Sequence, residues 1–210
     1  MSEANTSERL AETLCNILPQ TQCRQCGFDG CAQYARAIAQ GTAEINRCAP
    51  GGRSGVAKLA ELTGQKVLEI NSEYGCELPF AVAHIDSARC IGCRLCDAAC
   101  PVGAVSGLPK YLFAVIEDEC TGCGLCVCAC PVNAVEMQEN GHVWTAEDAA
   151  RAKAAYERTN ARRKLKAERR RRALEQAAHD KSTVLMQAIL KARALQNKQS
   201  TTPPLKGEGL

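Results

Sequence analysis

Residues 90–105 read CIGCRLCDAACPVGAV, and residues 120–135 read CTGCGLCVCACPVNAV. The second copy starts thirty residues after the first, and eleven of the sixteen positions are identical. Each copy is C-x2-C-x2-C-x3-C-P, the ligand spacing of paired [4Fe–4S] clusters. Three thiolates three residues apart, on a loop curled around the metal, reach three different irons of one cube. The fourth cysteine lies beyond that loop's reach of its own cluster and serves the other one. The spacing predicts one cluster on Cys90, Cys93, Cys96 and Cys130, and a second on Cys120, Cys123, Cys126 and Cys100. Gly92 and Gly122 precede the second cysteine of each run, where the chain turns tightly with no Cβ in the way. Pro101 and Pro131 stop the chain continuing as helix. A zinc site is the competing reading. One tetrahedral ion has no use for eight thiolates in this crossed pattern.

A second cysteine set lies upstream. Cys23, Cys26, Cys31 and Cys48 form C-x2-C-x4-C-x16-C. The spacing predicts a helix over 30–40, capped by Asp29 and stopped by Gly41, with Tyr34, Ala35 and Ile38 on its apolar face. Cys31 falls in the first turn, where the positive end of the helix dipole favours a thiolate. Either a third [4Fe–4S] cluster or a four-cysteine structural zinc fits the pattern alone. The company of two iron–sulfur runs favours iron.

The remaining chain reads as support for these sites. Leu10, Leu14, Ile17 and Leu18 recur at helical spacing over 7–18, and Pro19 ends the pattern. Cys15 on this helix is expected as a small buried hydrophobe. A short helix with Val56, Leu59 and Ala60 inward ends near Gly64. Residues 67–80 read as a connection, with Cys76 a free thiol. Short strands are expected at 82–86 and 113–117 before the repeats, and at 104–105 and 134–137 after them. Cys128 breaks the ligand spacing and is expected to serve packing. Thr145 to Asp148 resembles a helix start with an acidic residue at the third helical position. The long helix that follows has almost no large apolar residue between 151 and 172, so little burial is expected of it. An apolar stripe returns at Val184, Leu185, Ala188, Ile189, Ala192 and Leu195, and 197–210 is disordered in composition.

Aromatic residues make up only 4% of the 210 residues, so bound clusters would do much of the stapling of a large core. Fifteen cysteines in a chain without a basic, apolar leader point to a reducing compartment and not to a disulfide scaffold. No uncharged apolar run approaches the roughly 20 residues of a membrane span. The net charge of +3 is uneven. Residues 1–150 carry 10 Lys/Arg against 18 Asp/Glu, a net of −8, whereas residues 151–172 carry 11 against 2, a net of +9. Such a split suggests two kinds of partner. No G-x-G-x-x-G or P-loop motif occurs, and His84, His142 and His179 stand in unrelated contexts. No catalytic set is expected.

The segment LPQTQCRQCGFDGCAQYARAIAQGTAEINRCAPGG, followed by the cysteine repeats, resembles the B subunit of the Rnf (Rsx) ion-translocating oxidoreductase complex, from about Leu10 to Met137. The repeats themselves resemble a two-cluster bacterial ferredoxin. The resemblance implies an electron relay with three [4Fe–4S] clusters on the twelve cysteines named above. It is expected here as a soluble variant without the N-terminal membrane anchor of that family. The expected fold is α+β: a helical [4Fe–4S] domain at 1–66, a linker at 67–80, a ferredoxin-like domain at 81–143, a basic helical extension at 144–196 and a disordered tail at 197–210. Expected partners are a redox protein donor and acceptor: ferredoxin, flavoprotein or other Rnf-type subunits. Clusters carrying four thiolates on an acidic body are expected to have negative potentials. The expected location is cytoplasmic, with weak peripheral contact to an anionic membrane through 151–172. A rival reading makes the Arg-rich helix a nucleic-acid binder with structural clusters. No recognition motif accompanies that run, and specific nucleic-acid binding is not expected.

Overall fold

The structure is a computed structural model that describes the backbone of residues 3–200 and the side chains of residues 6–193. Its elements are mixed helices and two small sheets. The chain divides into two units, Met1–Asn160 and Ala161–Leu210.

In the first unit, α1 (Glu3–Ile17), α2 (Cys31–Ala39) and α3 (Gly52–Thr63) build one core. Leu14, Leu18, Tyr34, Ile38, Ile45, Val56 and Leu59 are buried there together. α3 ends as its sequence demands, with Gly64 in the left-handed conformation at φ 68°. At the other end, the Arg53 N–H donates to Glu77 Oε2 at 3.1 Å, so the connecting segment supplies the cap that α3 itself lacks.

The second core belongs to the repeats. β1 (Ala81–Ile85) pairs antiparallel with β4 (Val135–Glu139), setting Ala83 opposite Met137. β2 (Val105–Gly107) pairs antiparallel with β3 (Phe113–Val115), setting Ser106 opposite Ala114. The strands fall within two residues of the expected segments. Each repeat carries a helix of five residues, α4 (Leu95–Ala99) and α5 (Leu125–Ala129). Ala83, Val102, Ala104, Val105, Phe113 and Val135 close this core.

α6 (Ala146–Ser200) begins with the expected cap. The Thr145 N–H and hydroxyl both donate to Asp148 Oδ2 at 2.8 Å, and the Asp148 N–H donates back to Thr145 Oγ1 at 3.2 Å. The helix buries more than its lack of large apolar residues suggests. Ala149, Ala152, Ala155 and Thr159 are buried, and Ala155 joins the core of the repeats. A face of small residues lets a helix approach closely, which apolar periodicity of large side chains does not register. In the second unit the described side chains are exposed, including Val184, Leu185 and Ile189 of the apolar stripe. Leu195 and residues 197–210, expected to be disordered, lie outside the described side chains, although α6 extends to Ser200. Among the described residues no helix is long and apolar enough to cross a membrane.

Candidate metal centres

Three cavities open in the first unit, each lined by four cysteines. Cys90, Cys93, Cys96 and Cys130 line one. Cys100, Cys120, Cys123 and Cys126 line the next. Cys23, Cys26, Cys31 and Cys48 line the third. The first two are crossed: the fourth cysteine of each repeat faces the cavity of the other.

Backbone geometry explains how the repeats present their sulfurs. Gly92 and Gly122 adopt φ of +66° and +67°. A Cβ on Gly92 would sit 2.5 Å from the Tyr111 carbonyl oxygen, and one on Gly122 would sit 2.7 Å from that of Ala81. Both the turn and the close approach therefore require glycine. α4 and α5 are entered through left-handed residues, Arg94 and Gly124, which swing the third cysteine inward. Past each helix the chain returns to its fourth sulfur. The Ala104 N–H donates to Cys100 Sγ and the Ala134 N–H to Cys130 Sγ, both at 3.2 Å. Donors of this kind stabilise a thiolate and tune a bound cluster. Cys128, expected in packing, is exposed instead. It lies two residues from buried Cys126 on a short helix, and side chains at that separation leave by different faces.

The N-terminal cavity is held by polar residues that the sequence did not single out. Gln20, Thr21 and Gln22 are all buried. Gln20, Gln22 and Arg24 take left-handed φ of 58°, 56° and 64°, at a cost of about 1 kcal/mol or more each. Their side chains hold the loop. Gln20 Nε2 donates to the Cys15 carbonyl, Gln22 Nε2 donates to Gln20 Oε1 at 3.0 Å, and Gln22 Oε1 accepts the Cys31 N–H at 3.0 Å. Gln22 thus does the work expected of Asp29. Gly30 stands at the N-cap in extended backbone with no side-chain cap, and Gln22 takes the free N–H from across the cavity. On the far side, the Tyr34 hydroxyl donates to the Glu44 carbonyl at 2.8 Å and accepts the Arg47 N–H at 3.1 Å. That pins the loop returning Cys48. Cys15 is buried, as expected of a small hydrophobe, and Cys76 is exposed.

Burial dominates the protonation of these thiols. It pushes Cys31 up to about 12, against the Gln22 hydrogen bond, and it raises Cys48 further. It also takes Cys126 to about 12 and Cys123 to about 11, and raises Cys26 and Cys96. The helix-dipole effect expected at Cys31 is therefore outweighed by desolvation. Sulfurs this buried become thiolates when a cation compensates them, and metal binding releases their protons. A partly buried four-thiol set of this kind fits an iron–sulfur cluster. Among the described residues, no three His, Cys, Asp or Glu side chains converge closely enough for a single metal ion.

These sites define the class first. The model of the 4Fe-4S dicluster domain matches residues 83–137, and that described as "Putative Fe-S cluster" matches residues 18–50. Curated relatives are similar to about half of the chain. The B subunit of the ion-translocating oxidoreductase complex of Thiobacillus denitrificans is 55% identical over 110 residues, covering 52% of this chain and 58% of that protein. Its counterpart in an Azoarcus species is 53% identical over 108 residues, covering 51% and 59%. That of Alkalilimnicola ehrlichii is 52% identical over 112 residues, covering 52% and 60%. The chain thus spans about three fifths of the length of the curated relatives it matches.

Proposed function

We propose that this chain is an iron–sulfur electron carrier related to the B subunit of ion-translocating oxidoreductases, with three [4Fe–4S] clusters. The observation that carries this reading is the set of three cavities, each lined by four cysteines. Cys23, Cys26, Cys31 and Cys48 would hold one cluster. Cys90, Cys93, Cys96 and Cys130 would hold a second, and Cys100, Cys120, Cys123 and Cys126 a third. A bound [4Fe–4S] cluster supplies one-electron chemistry at a potential set by its charge, hydrogen bonds and exposure.

The chain's own residues do the positioning. Gln22 and Tyr34 fix the N-terminal ligand loops, and the Ala104 and Ala134 N–H groups address the crossed sulfurs. We assign the helical site to 1–66, the connection to 67–80, the two-cluster domain to 81–143 and the basic extension to 144–196. The partners in this reading are a redox protein donor and acceptor. The net +9 of residues 151–172 adds weak peripheral contact with an anionic membrane on the cytoplasmic side. The family models and relatives give the rival nucleic-acid reading no support.

The test is electron exchange. Anaerobic full-length protein is mixed with reduced ferredoxin and, separately, with a reduced flavoprotein, and its visible absorbance is followed by stopped flow. Rapid bleaching, reversed by an oxidised acceptor, is expected. Inert clusters combined with salt-sensitive DNA binding that depends on 151–172 would favour the rival.

A further inference from the structure

One buried contact joins ligand loops one hundred residues apart. The Thr121 hydroxyl donates to the Thr21 carbonyl at 3.0 Å, and both residues are buried. Thr121 lies between Cys120 and Cys123 and lines their cavity. Thr21 lies two residues before Cys23 and, with Gln22, lines the N-terminal cavity. The two cavities therefore share a hydrogen-bonded wall. A second bond from outside both loops braces the joint: Trp144 Nε1 donates to the Pro19 carbonyl at 3.0 Å.

The position of this joint is one of the five at which the two repeats differ. The position after the first cysteine is Thr121 in the second copy and Ile91 in the first. Thr121 is 3% exposed at the joint, whereas Ile91 is 60% exposed. Two nearly identical loops thus have different neighbours, and the difference is set by a residue that no ligand rule requires.

Resting on the iron–sulfur reading above, we propose that Thr121 is a positioning residue that locks the N-terminal ligand loop to the second repeat. The site of Cys100, Cys120, Cys123 and Cys126 is thereby the neighbour of the N-terminal site, and that of Cys90, Cys93, Cys96 and Cys130 is the outer one. A valine at 121 keeps the shape and removes the hydroxyl, and with it both the bond to Thr21 and a hydrogen bond with the Cys123 thiol. It leaves the Thr21 carbonyl buried without that partner, on a loop already in left-handed backbone.

The test uses the anaerobic full-length protein, Thr121→Val, Thr121→Ser and, as the control at the equivalent position, Ile91→Ala. Amide hydrogen exchange reads the joint. Thr121→Val is expected to speed exchange over residues 20–24 about tenfold, with Thr121→Ser restoring it and Ile91→Ala leaving it alone. Electron paramagnetic resonance of the reduced protein reads the neighbour relation through magnetic interaction between clusters. Thr121→Val is expected to alter the interaction signature of the N-terminal cluster at unchanged iron content. Cys126→Ala is expected to abolish that signature, and Cys96→Ala to leave it. Unchanged exchange and spectra in Thr121→Val, or loss of the signature with Cys96→Ala in place of Cys126→Ala, would overturn the proposal. If the parent protein itself lacks clusters, the functional reading fails, and exchange in Thr121→Val decides the joint by itself.

Discussion

Replacing Tyr34 with phenylalanine removes one oxygen and leaves the ring. The ring packs 5.5 Å from Phe28 within a buried core, so no cavity opens. The lost oxygen bridges two backbone groups of the loop that returns Cys48, the Glu44 carbonyl and the Arg47 N–H. Both bonds are part-buried. At about 0.5–1.5 kcal/mol each, their loss lowers the free energy of opening this loop by about 1–3 kcal/mol. That corresponds to a roughly 5- to 150-fold larger open fraction. If iron leaves the N-terminal site through this opening, its release should quicken by a similar factor. The assay is anaerobic transfer of iron to a chelator, followed by absorbance in the parent and in Tyr34→Phe. About one third of the iron, the share of one cluster among three, should leave early in the variant, and the rest should leave at the parent rate. Release at the parent rate throughout would refute the role given to the hydroxyl. Uniform acceleration of all the iron would show that the effect is global and not local to Cys48.

Crossed ligation predicts that Cys100→Ser damages the cluster of Cys120, Cys123 and Cys126, and that Cys130→Ser damages that of Cys90, Cys93 and Cys96; paired resonance spectra would show harm confined to each variant's own run if the crossing were wrong. The Asp148 carboxyl is held below the usual carboxylate range, chiefly by the Thr145 N–H and then by the Thr145 hydroxyl, His142 and Arg151. Its folded value is depressed, so its contribution to stability is present above the unfolded value of about 3.9 and is lost as pH falls below it. Asp148→Asn should flatten the acid loss of stability followed by fluorescence of Trp144, the one tryptophan, and an unchanged acid profile would count against the cap. The full chain should co-sediment with anionic vesicles at low salt, and a version ending at Asn160, which keeps the buried start of α6, should not. Equal sedimentation of both would remove 161–172 from the account of membrane contact.

The grouping of the cysteines was legible because it rests on local spacing. Three or four residues of loop decide which sulfur reaches which cavity, and the strands flanking each run follow from short apolar stretches bounded by turns. The polar supports were not legible. Gln22 caps α2 from nine residues upstream, and Thr121 reaches Thr21 across one hundred. Glutamine and threonine in a loop read as solvated residues until the tertiary fold removes water from them. The burial of the first turns of α6 was missed for a different reason. A helix that buries Ala149, Ala152, Ala155 and Thr159 carries its contact in small side chains, so its sequence resembles that of an exposed helix. Cys31 shows a wrong weighting. The helix terminus was visible in the sequence, but the burial that outweighs it was not. Cys128 sits in a run of close cysteines, and only the short helix reveals that its face is turned outward.

The central claim is that twelve of the fifteen cysteines hold three clusters. It is tested most directly by the iron, acid-labile sulfide and zinc content of anaerobically purified full-length protein. About twelve irons and about twelve sulfides per chain, with no stoichiometric zinc, are predicted. About eight irons with one zinc per chain would contradict the account by giving Cys23, Cys26, Cys31 and Cys48 to a structural zinc ion.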